Sequence, residues 1–140
     1  MDSISIEQYE FDGAVKHFFS LNPVYEWGGN VQGSYKDSIR DGSLMVDSVG
    51  MVRAIYEMAT GQVLENVPNA HLMGHETDHI PLRDACPGDL IFPGGAVSMV
   101  ASDDSRIVCY TGDLGIVIEE GELTNGMGEI HRGFVRVSGS

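Results

Sequence analysis

The 140-residue chain is poor in cysteine, proline and positive charge, and each shortage excludes something. Its two cysteines, Cys86 and Cys109, allow at most one bridge. No disulfide framework can hold the fold, and the redox compartment is left open. Five prolines, with no internal repeat and no low-complexity tract, provide no linker between domains. The length suits one core, so residues 1–140 read as a single domain. Eight basic residues stand against 21 acidic ones, a formal net charge of -13. That field repels a phosphate backbone, so a nucleic-acid partner is not expected of this acidic protein. No apolar run approaches the roughly 20 residues that cross a bilayer, so no membrane partner is expected either. Residues Met1 to Glu7 lack a basic segment followed by an apolar one, and no secretory signal is read there.

What is present is two kinds of hydrophobic periodicity. From Glu7 to Leu21, Phe11, Ala14, Val15, Phe18 and Phe19 recur at helical spacing, and Asn22-Pro23 ends the run. Gly28 to Gly42 is rich in Gly, Asn, Asp and Ser and reads as loop. A second helix is expected from Asp47-Ser48, both good N-cap residues, with Val49, Val52, Ile55, Tyr56 and Ala59 on one face and a stop near Gly61. Beyond it the period shortens. Asp89–Phe92, Val97–Ala101, Arg106–Thr111, Leu114–Ile118 and Ile130–Val137 are short and rich in Val, Ile, Phe and Tyr, which predicts antiparallel strands. Helices first and strands after make an α+β domain, with N-terminal helices packed on an antiparallel β-sheet.

His75-Glu76-Thr77-Asp78-His79 has the spacing of a zinc-protease motif, in which two histidines one helical turn apart hold the metal. Such a motif needs a buried helix. Here Gly74 precedes it, Pro81 follows, and only Leu72, Met73, Ile80 and Leu82 are apolar between His71 and Leu82. The segment reads as a polar loop, and no metal site is expected; a zinc protease is the disfavoured alternative. Asp37 to Ser48 likewise fails as a calcium loop, having Ile39 and Ser48 where carboxylates are needed.

An ordered set of landmarks runs from about residue 10 to residue 137. Tyr25-Glu26-Trp27-Gly28-Gly29 leads to Asp47-Ser48-Val49-Gly50-Met51-Val52 at a helix start. Val67-Pro68 and Cys86-Pro87-Gly88-Asp89-Leu90-Ile91-Phe92 come next. Asp113-Leu114-Gly115-Ile116-Val117-Ile118 and Gly133-Phe134-Val135-Arg136-Val137 complete the set. The series resembles the NlpC/P60 family of papain-like cell-wall peptidases, whose pattern runs Tyr-x-Trp-Gly-Gly, Asp-Cys-Ser-Gly-Leu-Val, Pro-Gly-Asp-Leu-x-Phe and His-Val-Gly-Ile-Tyr. The resemblance implies a cysteine hydrolase acting on peptide bonds of peptidoglycan, without cofactor.

That chemistry needs a thiolate at a helix N-terminus, a histidine to protonate the leaving amine and a polar residue to orient the imidazole. Carried over by position, the resemblance puts Ser48 at the nucleophile, Asp113 at the base and Asn125 at the orienting residue. Tyr25, Trp27 and Asp47 become substrate-binding candidates, although packing is the favoured reading of Trp27. His17 and His131 are the imidazoles that remain to be placed, Cys86 precedes a turn, and Cys109 alternates within a strand as a core residue would. A carboxylate with a reference pKa of about 3.9 is a weak base for a serine hydroxyl. The expected function is therefore an inactive, binding or structural module. Its partners would be peptidoglycan or phage tail proteins, at a virion tail or on the cell-wall side. An active endopeptidase or amidase with its nucleophile mutated at Ser48 is the alternative.

Overall fold

The computed structural model describes residues 4–29, 31, 33–63, 79–92, 97–102, 104–112, 115–123, 128–131 and 135–138. Strand β1 (Ile4–Glu7) runs into helix α1 (Gln8–Ser20), which buries Phe11, Ala14, Val15 and Phe18. The chain leaves α1 through Asn22 at φ +50, a left-handed conformation that asparagine tolerates, and Pro23 cannot continue the ladder. Strands β2 (Val24–Tyr25), β3 (Ile39–Arg40) and β4 (Ser43–Val46) follow, with one 3-10 turn at Tyr35–Ser38. Helix α2 (Ser48–Thr60) ends on Gly61 at φ +74, the left-handed cap for which glycine is suited. The remaining strands are β5 (His79–Ile80), β6 (Leu90–Phe92), β7 (Ser98–Val100), β8 (Ser105–Gly112), β9 (Gly115–Glu122), β10 (Glu129–His131) and β11 (Val135–Ser138).

Among the described residues these strands form three sheets. The main one has the order β5-β10-β6-β7-β8-β9 and is antiparallel throughout. Its strands alternate as a sheet buried on both faces must. Leu90, Met99 and Ile107 join one core with Phe11 and Phe18 of α1 and Met51, Ile55 and Tyr56 of α2. Ile91, Val100 and Ile130 form a second cluster with Ile80. As expected from sequence, α2 begins at Ser48, and the strands at Leu90 and Gly115 lie in one sheet.

The expectations differ from the structure in two stretches. Gly28–Gly42 is not all loop, because it contains the 3-10 turn and β3. Asp41 at φ +53 and Gly42 at φ +79 reverse the chain between β3 and β4 as a two-residue hairpin. Ile130–Val137 is not one strand but two. β10 pairs antiparallel with β5 and β6, whereas β11 pairs parallel with β1, so the two halves serve different sheets.

Cys86-Pro87-Gly88-Asp89 is the joint between α2 and the sheet. It forms a turn closed by Asp89 N–H donating to the Cys86 carbonyl at 3.0 Å, with Gly88 at φ +93. That geometry is a type II turn, with proline and glycine in the positions it favours. The buried Asp89 carboxylate accepts from Cys86 N–H at 2.9 Å. The fully buried Tyr56 donates its hydroxyl to the Gly88 carbonyl at 2.9 Å, tying the helix to the turn. Tyr56→Phe leaves that carbonyl one donor short. It should lower unfolding stability by about 1–2 kcal/mol in urea titration, with the helical circular dichroism unchanged.

Candidate functional site

The site is built where the β2-to-α2 region meets the start of β7. Parallel pairing of Tyr25 with Val46 brings the Tyr25–Gly29 segment beside the N-terminus of α2. Glu26 N–H donates to Val46 O at 2.9 Å, and Gly29 N–H to Glu26 O at 2.9 Å, with Gly28 at φ +81. This is a second type II turn, with Trp27 at its tip. Asp47 N–H then donates to Gly29 O at 2.7 Å. The contact is so close that a Cβ on Gly50 would stand 2.1 Å from the Gly29 oxygen, and one on Gly29 3.0 Å from the Glu26 oxygen. The two glycines let one peptide lie on the other.

Asp47 is the N-cap of α2, its Oδ1 accepting from Gly50 N–H at 2.7 Å. A carboxylate there also complements the positive end of the helix dipole. Further along the helix, burial pulls the Arg53 guanidinium below its usual range while the Asp47 charge pulls it back. It stays cationic at neutral pH. Arg53 also donates to Val31 O at 3.4 Å, pinning the chain that leaves the Gly29 turn. The part-buried Glu57 accepts from Ser34 Oγ at 2.7 Å and from Tyr35 N–H at 2.9 Å, so α2 holds the 3-10 turn as well.

Ser48 is the first residue of α2 and is 9% exposed. Its Oγ accepts from Val97 N–H at 3.3 Å. Among the described residues no imidazole is a hydrogen-bond partner of Ser48 Oγ. His17 is exposed on α1 and stacks edge-to-face on Tyr35, and His131 lies on β10 with its Nε2 3.3 Å from Glu129 Oε2. Asp113 and Asn125 lie outside the described residues. The backbone that meets Ser48 belongs to the entry into β7, while β9, which opens after Asp113, is the edge strand two places away.

The other candidates are placed as follows. Tyr25 is half-buried on β2, and Asp47 spends one carboxylate oxygen on the helix. Trp27 is 88% exposed, which corrects the packing reading: the tight turn on Gly28 and Gly29 lifts the indole away from the core. His79 opens β5 opposite His131, so its backbone is extended rather than helical, and residues 71–78 lie outside the described residues. Cys86 is an exposed free thiol, and the side chain of Cys109 is outside the description. Sequence reasoning missed a polar cavity of about 500 Å³ beside the turn, whose lining includes Glu26, Asp37, Ser38 and Arg40. The available signal was Asp41-Gly42, which folds β3 back on β4 and carries Arg40 to an ion pair with Glu26.

The fold as a whole is found in solved structures. The P60 domain of an antigen from M. avium subspecies paratuberculosis superposes with a TM-score of 0.62 at 21% identity, covering 89% of this chain and 95% of that one. The NlpC/p60 domain of the peptidoglycan hydrolase SagA gives 0.60 at 17% identity, covering 91% and 99%. The fold is NlpC/P60-like. No protein-family profile matches the chain, and no curated protein matches it.

In this NlpC/P60-like fold Ser48 sits at the helix N-terminus, and among the described residues its hydroxyl meets an amide and no base. A base must come within about 2.6–3.2 Å of the proton it takes. Two outcomes check the joint itself. Asp47→Ala should cost about 1 kcal/mol in chemical denaturation, with Asp47→Asn close to the original protein. Gly50→Ala must push the Gly29 peptide away and should cost about 2 kcal/mol or more, read in the same assay.

Proposed function

We propose that this chain is a catalytically inactive NlpC/P60-like module that binds the bacterial cell wall, or an assembly that meets it, without cutting it. The observation that carries this is the contact between Ser48 and Val97. The serine oxygen accepts from the Val97 amide at 3.3 Å, and among the described residues no imidazole or carboxylate accepts its proton. Serine needs a partner to lose its proton far more than cysteine does, because a thiol ionises near pH 8.5 on its own. Asp113 and Asn125 remain the base and orienting positions that the family resemblance suggests, and a carboxylate at the first is too weak a base for the purpose.

Peptidoglycan enters the proposal as ligand class because SagA, a fold relative, is named a peptidoglycan hydrolase. Tyr25 and Trp27, the substrate-binding candidates that the family resemblance suggests, are assigned to ligand contact as part of the same reading. Loss of nucleophile and base on an intact scaffold suits a component that docks, and we assign it to tail-associated virion proteins that meet the wall.

The test is release of new amino termini from purified cell walls. The unaltered protein and Ser48→Cys should both release none. Ser48→Cys with Asp113→His supplies an imidazole at the base position that the family resemblance suggests and should restore measurable release, general acid–base help being worth about 10²–10⁴-fold. Turnover by the unaltered protein overturns the proposal.

A further inference from the structure

The cavity beside the Glu26–Gly29 turn has a composition that narrows its ligand. Its lining pairs two apolar side chains, Val31 and Met45, with Glu26, Asp37, Ser38, Arg40 and the backbone of Gly28 and Gly29. At about 500 Å³ it falls within the range of small-molecule sites. An apolar ligand would strip water from two carboxylates and a guanidinium without replacing its hydrogen bonds. A polyanion would meet both carboxylates and the net charge of -13. A neutral ligand with many hydroxyl and amide groups meets neither obstacle. Carboxylates accept from hydroxyls, and the Arg40 fork donates to hydroxyl or acetamido oxygens.

The second observation is Trp27. Tryptophan is on average a well-buried residue, yet this one is 88% exposed. Glu26 and Gly28, on either side of it in the chain, both line the cavity, so the turn that carries Trp27 borders it. Gly28 at φ +81 and the Gly29-to-Glu26 hydrogen bond hold the turn that presents it. The Glu26–Arg40 ion pair ties this turn to the β3–β4 hairpin across the cavity. An aromatic plate beside a set of planar hydrogen-bonding groups matches a pyranose ring, which has an apolar C–H face and a polar rim.

We propose that this cavity and Trp27 bind the glycan chain of the wall, a neutral N-acetylated oligosaccharide, rather than its peptide. The inference rests on the wall-binding reading above. It moves recognition from the helix N-terminus to the segment between Gly29 and Asp47.

Trp27 is the sole tryptophan, so intrinsic fluorescence reports on this position alone. Titration with a β-1,4-linked N-acetylglucosamine tetramer should give a saturable change in emission. By calorimetry, Trp27→Ala and Asp37→Asn should each weaken binding about tenfold or more. Both side chains are exposed, so thermal unfolding of the variants should match the original and separate lost binding from lost fold. A free stem peptide bearing an ammonium group is titrated in parallel, and co-sedimentation with purified walls forms the third arm. Saturation by the peptide with no response to the sugar overturns the inference. So does wall binding that Trp27→Ala leaves intact while the tetramer is silent, a result that would still uphold the wall-binding reading. Tetramer binding without wall binding would sustain the glycan site and overturn the wall-binding reading.

Discussion

The carbonyl of Gly29 occupies the space that any side chain at position 50 would need, and the geometry of the site depends on that contact. Because neither Gly29 nor Gly50 has a Cβ, the turn ending at Gly29 can lie directly on the first turn of α2. The Asp47 amide reaches the same carbonyl at 2.7 Å, which uses one of the helix's unpaired donors. Three things follow from the joint. Ser48 is pressed toward the sheet, Trp27 is carried outward on the turn, and the space between turn and hairpin stays open as a cavity.

The electrostatics of the joint favour order over reactivity. The positive end of α2 is met by the Asp47 carboxylate, and Arg53 balances that carboxylate from further along the helix. A thiolate in the place of Ser48 would feel the same helix dipole and be stabilised as an anion. A serine hydroxyl draws little from it, since it is neutral, and its oxygen already serves Val97. The scaffold that would activate a cysteine here packs a serine. Helix capping and turn packing are separable from proton transfer, so the layout does not require a reactive residue at position 48.

Much of the architecture was legible because it rests on local rules. The apolar face of α1, the Asp47 cap, the Gly61 stop and the Pro87-Gly88 turn each follow from residues close in sequence. The strands from Leu90 to Ile118 announced themselves by composition, and their antiparallel order follows from short connections. The two ends were less legible. Ile4–Glu7 is too short to signal a strand, and its partner β11 is more than 120 residues away, so only the folded chain pairs them. Ile130 to Val137 looked continuous because its β-rich composition does not reveal a change of sheet.

By itself the sequence determined the α+β class, the two helices with their caps, and the position of Ser48 at a helix start. These are properties of spacing, propensity and residue identity, which need no partner to be true. Only the tertiary structure decided that β7 is the strand whose backbone reaches Ser48, that Trp27 faces solvent, and that Arg40 closes on Glu26 beside a cavity. The first and last of those join residues 49 and 14 positions apart in the chain, brought together by sheet order and by two glycines that admit a close approach. Local periodicity contains no record of either.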